Sequence, residues 1–336
     1  MALLDRHIDD QLDQRLPAAY TDGEEKEIWD GGVWDAVSPT PRNASAWLAD
    51  VDLTGWSPNS TGAVGRGCTL ITRRHGVTTA HGDLDVGQSM YFVKADGTIL
   101  TVPVVGMSKN DTSDIKVVAF DDDVDGDIAD YKILPADYAS YISIADRACF
   151  FLKGNTDPPG QAISTFEWAS VGLAGGYPRA IFSVPSGSPR DLWNDSPLSG
   201  GDSGQPFCLL INGEMVLLAT AHGSAFGPAL AESAAAINTM SGLADDQAGY
   251  DTEYTVTTIE LASPSPPIVN AGYFGLLGWI TGWLNSAFVA PVPPTIPGLE
   301  FTIPENRCHG LLPENRMHGT LLENRMHFTI PEEDRI

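Results

Sequence analysis

The sequence predicts an all-β fold: two antiparallel barrels, closed by one helix and followed by an extended repeat tail. Three observations carry this expectation. From Gly65 onward the chain is a series of short Val/Ile/Thr/Phe runs cut by Gly, Asn, Asp and Pro, a punctuation typical of strands and turns. The runs fall into two sets, near 68–73, 77–80, 89–94, 98–105 and 115–120, then near 147–152, 162–170, 179–184, 206–211 and 214–221, each sufficient for a small barrel. After Glu260 the texture changes, with no charge before Glu300 and a nine-residue repeat beyond it.

Taken in order, residues 1–20 hold Leu4, Ile8, Leu12 and Leu16 every fourth position among charged neighbours, with Pro17 ending the run. That spacing predicts an amphipathic helix whose apolar stripe packs on its own protein, the alternative being a docked partner. Residues 21–60 form an irregular, Trp-bearing lead-in, and 61–260 form the β-rich domain. Between its two halves lies Asp121-Asp-Asp-Val-Asp-Gly-Asp127. Its alternating carboxylates suggest a calcium loop, but Lys132 stands where the bidentate Glu of an EF-hand belongs, so a solvated connection is expected. Pro228 is expected to open the closing helix, with Leu230, Ala234, Ile237 and Met240 on one stripe and Ser241-Gly242 at its end. A strand-like run, Tyr254–Ile259, follows.

Residues 261–300 form an uncharged, Pro/Gly-rich hydrophobic linker. Ile268–Ala290 is long enough to cross a bilayer, yet its asparagines, glycines and lack of basic flanks favour a hydrophobic docking or β-rich segment over membrane insertion. Residues 301–336 repeat a unit that reads Ile-Pro-Glu-Asn-Arg at 303, Leu-Pro-Glu-Asn-Arg at 312 and Leu-Leu-Glu-Asn-Arg at 321, with Glu305, Glu314 and Glu323 nine apart. Nine residues make two and a half helical turns, so a strand-turn or extended unit is favoured. His309, His318 and His327 would lie about 30 Å apart when extended, and no metal is expected there.

The chemistry concentrates in Leu198-Ser-Gly-Gly-Asp-Ser-Gly-Gln-Pro206. Gly200, Gly201 and Gly204 permit turns that a β-carbon would obstruct, so the N–H groups of Gly201 and Ser203 can converge as an oxyanion hole beside the Ser203 hydroxyl. A serine hydroxyl needs a base and a group that orients the base. Thr78-Thr-Ala-His81 ends one β-branched run, and Asp114 heads the apolar run Ile115–Phe120. Asp83, Asp85 and Asp111 compete for the orienting role. Asp114 is favoured because the run behind it would bury and fix it.

These residues carry a resemblance. Thr78-Thr-Ala-His81 resembles the histidine motif of chymotrypsin/trypsin-like serine proteases, Asp114-Ile-Lys-Val-Val their aspartate strand, and Gly201-Asp-Ser-Gly204 their nucleophile loop, in the family's order. The resemblance covers about residues 61–260 and looks most like bacterial and phage-borne members. It implies two six-stranded Greek-key barrels and peptide-bond hydrolysis by His81, Asp114 and Ser203, with no cofactor. It places Pro197, Ala221, His222 and Gly223 around the substrate pocket, where Pro197 stands near the floor position that trypsin-like members fill with an acid. It also leaves Cys68 without its usual partner and raises a Cys149–Cys208 bridge, with buried free thiols as the alternative. Asp202 would pair with a cut N-terminus in activated members, but no Arg-Ile-Val-Gly-Gly-like site precedes the domain.

The balance of 19 Lys+Arg against 44 Asp+Glu gives a formal charge of −25, which repels nucleic acid and anionic lipid. The expected partner is a polypeptide substrate. The first residues carry charges where a signal peptide needs its apolar core, so no classical export is expected. A reading of another class stays open: a protease-like fold kept as a structural or attachment module of a phage-like particle, with the 301–336 repeats as the operative part.

Overall fold

The computed structural model describes residues 2–17, 24–30, 41–60, 67–154, 161–186, 189–194, 198, 201–223, 225–251 and 254–261. The repeat tail, nearly all of the 261–300 linker, and Pro197 lie outside the described residues. Among those described, no helix is long and apolar enough to cross a membrane.

The fold is mostly β. A six-stranded sheet is built from β1 (Trp56–Ser57), β2 (Cys68–Leu70), β3 (His75–Thr79), β4 (Ser89–Val93), β5 (Ile99–Asn110) and β6 (Ile115–Phe120), in the order β1-β2-β3-β6-β5-β4. Every pairing is antiparallel. Its two edges meet, since Ser60 just past β1 bridges Met90 of β4 and the Ser57 hydroxyl donates to the Tyr91 carbonyl at 2.6 Å. The sheet is thus a nearly closed barrel, which removes the open edges an antiparallel sheet would otherwise expose.

A second sheet contains β7 (Lys132–Ile133), β8 (Arg147–Lys153), β9 (Ala162–Ala174), β10 (Tyr177–Ser183), β11 (Pro206–Ile211), β12 (Glu214–Thr220) and β13 (Phe226–Pro228). Their order is β13-β10-β9-β8-β11-β12-β7. This sheet also curls on itself: Ala219 of β12 bridges Ala229, just past β13. The architecture is compatible with trypsin-like barrels. All ten expected strands are present within a few residues of their predicted limits, and β1, β7 and β13 are additional. The first sheet therefore begins inside the segment read as lead-in.

Three apolar clusters explain why several strands read as continuous hydrophobic runs. In β8, Phe150 and Leu152 face a cluster shared by both sheets, while Cys149 and Phe151 face the interior of the second. Strands buried on both faces lose the polar half of the alternation. Cys208 pairs opposite Phe150 and so points to the shared cluster, away from Cys149. This is why the two cysteines remain free, buried thiols and no bridge joins them. Burial pushes the thiols of both well above the ordinary cysteine range and that of Cys68 up to about 12.

The N-terminal helix α1 (Ala2–Asp13) packs on its own protein, as its stripe predicts. Leu4 and Ile8 enter the cluster of the second sheet, and Leu12 with Leu16 enter the shared one. Its acids serve as backbone acceptors, with Asp5 taking the Ser143 N–H and Asp9 the Ala148 N–H, each at 2.8 Å. Asp13 receives a two-pronged bond from Arg190 at 2.6 and 2.8 Å.

The closing helix α2 (Ala234–Ala248) departs from expectation. Pro228 ends β13 instead of opening the helix, and Ser241-Gly242 lies within it. The Ser241 hydroxyl is satisfied by donating to the Ile237 carbonyl one turn back, and the true stop is Gly249, whose φ of 79° closes the last turn. The helix lies directly on β5, where Gly106 has no side chain to obstruct it; a β-carbon there would sit 2.0 Å from the Ala244 carbonyl oxygen. Tyr254–Ile259 does not form a strand and contributes one bridge, Thr258 to Ile133.

Candidate active site

Register brings the first two groups together. Thr79 at the end of β3 pairs with Ile115 at the start of β6, so the residues just beyond, His81 and Asp114, are neighbours. The turn before β6 is organised by Asn110, whose side-chain oxygen accepts the Thr112 and Ser113 N–H groups at 3.1 and 3.2 Å. It delivers Asp114 in the left-handed region, at φ 56°, which Asp and Asn tolerate better than other side chains. The Asp114 carboxylate then points back at His81. It accepts the His81 backbone N–H at 2.9 Å, and His81 Nδ1 lies 2.9 Å from each of its oxygens. The two side chains differ in exposure, 42% for His81 and 5% for Asp114.

The serine comes from the other sheet. Gly204, at φ 83°, lies against the end of β3, and a β-carbon there would meet Thr78 Oγ1 at 2.4 Å and the Gly67 carbonyl oxygen at 2.7 Å. Its N–H donates to the Ala221 carbonyl at 2.9 Å, and the Gln205 N–H donates to the Asp202 carbonyl at 3.2 Å. The turn so fixed presents Ser203, whose Oγ lies 3.0 Å from His81 Nε2. A carboxylate only accepts, so Nδ1 carries the ring proton of the neutral imidazole. Nε2 is then free to accept from the Ser203 hydroxyl.

The structure thus joins His81, Asp114 and Ser203 in one hydrogen-bonded chain. Gly201 lies two residues ahead of Ser203 in the same turn. The competing acids are elsewhere: Asp83 and Asp85 are exposed, and Asp111 pairs with Lys109 at 3.0 Å. Asp202 is buried within the turn. Ala221 is buried beside it, and Gly223 sits so close to the Phe226 ring that a β-carbon would lie 2.9 Å from it. His222 is turned toward Asp114 Oδ2, to which its Nδ1 is hydrogen-bonded. In the acidic 121–127 stretch, Asp123 pairs with Arg74 at 2.8 Å and Asp125 with Lys94 at 2.5 Å. Among the described residues, His81, Asp114 and His222 form the one group whose potential metal donors lie within 4.8 Å of one another.

Three supporting residues escape sequence reasoning. Lys116, buried in β6, donates to the carbonyls of Gly82 and Leu84 at 2.6 and 2.8 Å and so ties down the chain leaving His81. The contact of His222 with Asp114 has no local signature, because Asp114 is 108 residues away. Gln205, directly after the Ser203 turn, is a buried brace: its Oε1 accepts from Trp56 Nε1 at 2.6 Å and its Nε2 donates to the Pro58 carbonyl at 3.1 Å. Gln205→Leu strands the Trp56 N–H and the Pro58 carbonyl, and the expected loss is about 1–3 kcal/mol of stability. Urea unfolding followed by tryptophan fluorescence measures it, and a loss below about 0.5 kcal/mol would remove the brace.

No family model matches the chain, and no curated protein sequence matches it.

Proposed function

We propose that the protein is a serine endopeptidase on a pair of trypsin-like Greek-key barrels, with Ser203 as nucleophile, His81 as general base and Asp114 as the group that orients and charges the imidazole. The observation that carries this reading is the unbroken chain from Asp114 through His81 to Ser203, assembled from positions 33 and 122 residues apart at the spacing proton transfer requires. An isolated serine in a glycine turn, or an isolated histidine at a strand end, has an ordinary structural explanation. Three such groups in hydrogen-bond register have a mechanistic one.

In the proposed reaction the Ser203 oxygen attacks the peptide carbonyl carbon as its proton passes to His81 Nε2. The imidazolium is stabilised by the Asp114 carboxylate, and the oxyanion is met by the N–H groups of Gly201 and Ser203. The imidazolium then protonates the departing amine, leaving an acyl ester on Ser203. Water, deprotonated by His81, releases the acid and restores the serine. The described cysteines offer no rival nucleophile, since burial keeps their thiols protonated and out of reach. By the resemblance, Ala221, His222 and Gly223 border the substrate pocket and Pro197 stands in the sequence where trypsin-like members carry an acid, which supports an uncharged substrate side chain. No step requires a cofactor.

The test is a fluorophosphonate probe on the folded protein. Wild type is expected to be labelled, and Ser203→Ala to lose the label entirely with an unchanged circular dichroism spectrum. A wild type that resists the probe, or a variant that keeps the label, would end the proposal and favour the attachment-module reading.

A further inference from the structure

We infer that His222 is a positioning residue for this reaction, a second imidazole that holds the orienting carboxylate of Asp114. The inference rests on the peptidase reading. Asp114 is contacted by three N–H groups, the His81 backbone, His81 Nδ1 and His222 Nδ1, so its two oxygens are shared between the imidazoles. The His222 ring stands edge-on to the His81 ring, with centroids 5.2 Å apart and planes at 82°. Its own placement is firm: the His222 N–H donates to the Phe226 carbonyl at 3.0 Å, and its ring packs on the Phe226 ring at 5.1 Å. The charged and titratable groups facing it are Asp114 and His81 from the first sheet and, over the Phe226 ring, Arg179 of β10.

The arrangement has a chemical consequence. A carboxylate that already accepts a hydrogen bond from His222 has less of its charge available to the imidazolium of His81. His222 therefore fixes the rotation of the carboxylate and acts on His81 through it. Because Nδ1 must carry a proton to donate to Asp114, any side chain with an N–H at the same distance from the backbone can replace it. The Asn amide nitrogen sits one bond beyond Cγ, as Nδ1 does; Leu has the shape without the donor.

The experiment measures the pH dependence of kcat/KM for a peptide substrate in the full chain, with His222→Leu and His222→Asn beside wild type. In His222→Leu the acid limb is expected to move up by about half to one pH unit, with kcat falling roughly three- to ten-fold and KM held within about two-fold. His222→Asn is expected to restore most of the wild-type profile. A purely structural histidine would lower activity in step with thermal stability and leave the limb in place. Equal profiles for Leu and Asn, or a Leu profile identical to wild type, would overturn the inference. Proton NMR of the resting protein reads the same contact without turnover: a hydrogen-bonded ring N–H of His222 is expected in wild type and should vanish in His222→Leu while that of His81 moves. Absence of any His81 shift would also overturn it. Failure of wild type to react with the fluorophosphonate is a separate result that removes the peptidase reading itself.

Discussion

Asp114→Asn is expected to lower kcat/KM for peptide hydrolysis about ten-thousand-fold without unfolding the protein. The substitution keeps the shape of the side chain, and Asn adopts the left-handed backbone of position 114 (φ 56°) as readily as Asp. What changes is the hydrogen-bond inventory. An amide can offer an N–H to His81 Nδ1, which drives the ring proton to Nε2 and leaves no acceptor for the Ser203 hydroxyl. Even where its oxygen faces Nδ1, the amide brings no charge to the imidazolium. Steady-state kinetics on the wild type and variant, with thermal melts as control, decide the matter. A fall of less than about ten-fold would mean that Asp114 does not orient the base.

The second large effect belongs to a fully buried histidine–aspartate pair. His75 of β3 and Asp245 of α2 meet at 3.0 Å with both side chains at 0% exposure, and His75 Nδ1 is held by the Thr72 hydroxyl at 2.9 Å. His75→Ala leaves Asp245 buried without its partner, and the expected cost is about 3–5 kcal/mol. For a domain of this size that lowers the melting temperature by roughly 6–20 °C. The double variant with Asp245→Ala should lose markedly less than the sum of the two single changes.

The same pair gives stability a pH dependence. Burial, the larger influence, lowers the His75 pKa from its ordinary value, and the attraction of Asp245 offsets this only in part. The unfolded chain therefore binds a proton that the native state refuses. The contribution is complete above the ordinary imidazole range near 6.5 and is lost as the pH falls from there through the depressed native value. Urea midpoints measured from pH 7.5 to 5 should fall in wild type and fall less steeply in His75→Ala. Parallel slopes would exclude His75 as the source.

The expected strands and the wording of the three motifs are legible in the sequence because their signals are local. The runs around Val117, Phe150 and Leu209 are bounded by turn residues within a few positions, and Asp114 directly heads an apolar strand. What escapes is short or distant. β1, β7 and β13 span two or three residues, too few for any alternation, and exist because a neighbouring edge recruits them. The start of α2 is misread because Pro228 suits a helix opening as well as an edge strand. The partners of His75, Gln205 and His222 lie 170, 149 and 108 residues away. No window along the chain contains both members of those contacts.

The docking of α1 bears on how the molecule comes into being. The helix leaves the ribosome well before three of the groups that hold it, since Ser143, Ala148 and Arg190 follow their partners by 138, 139 and 177 residues. At ordinary rates of synthesis that interval is roughly 7–35 s. Leu12 and Leu16 can meet Trp29 and Trp47 soon after they are made, but for that time Leu4 and Ile8 lack the second-sheet residues that bury them, so the nascent helix carries an uncovered apolar stripe among its acids until β8 arrives.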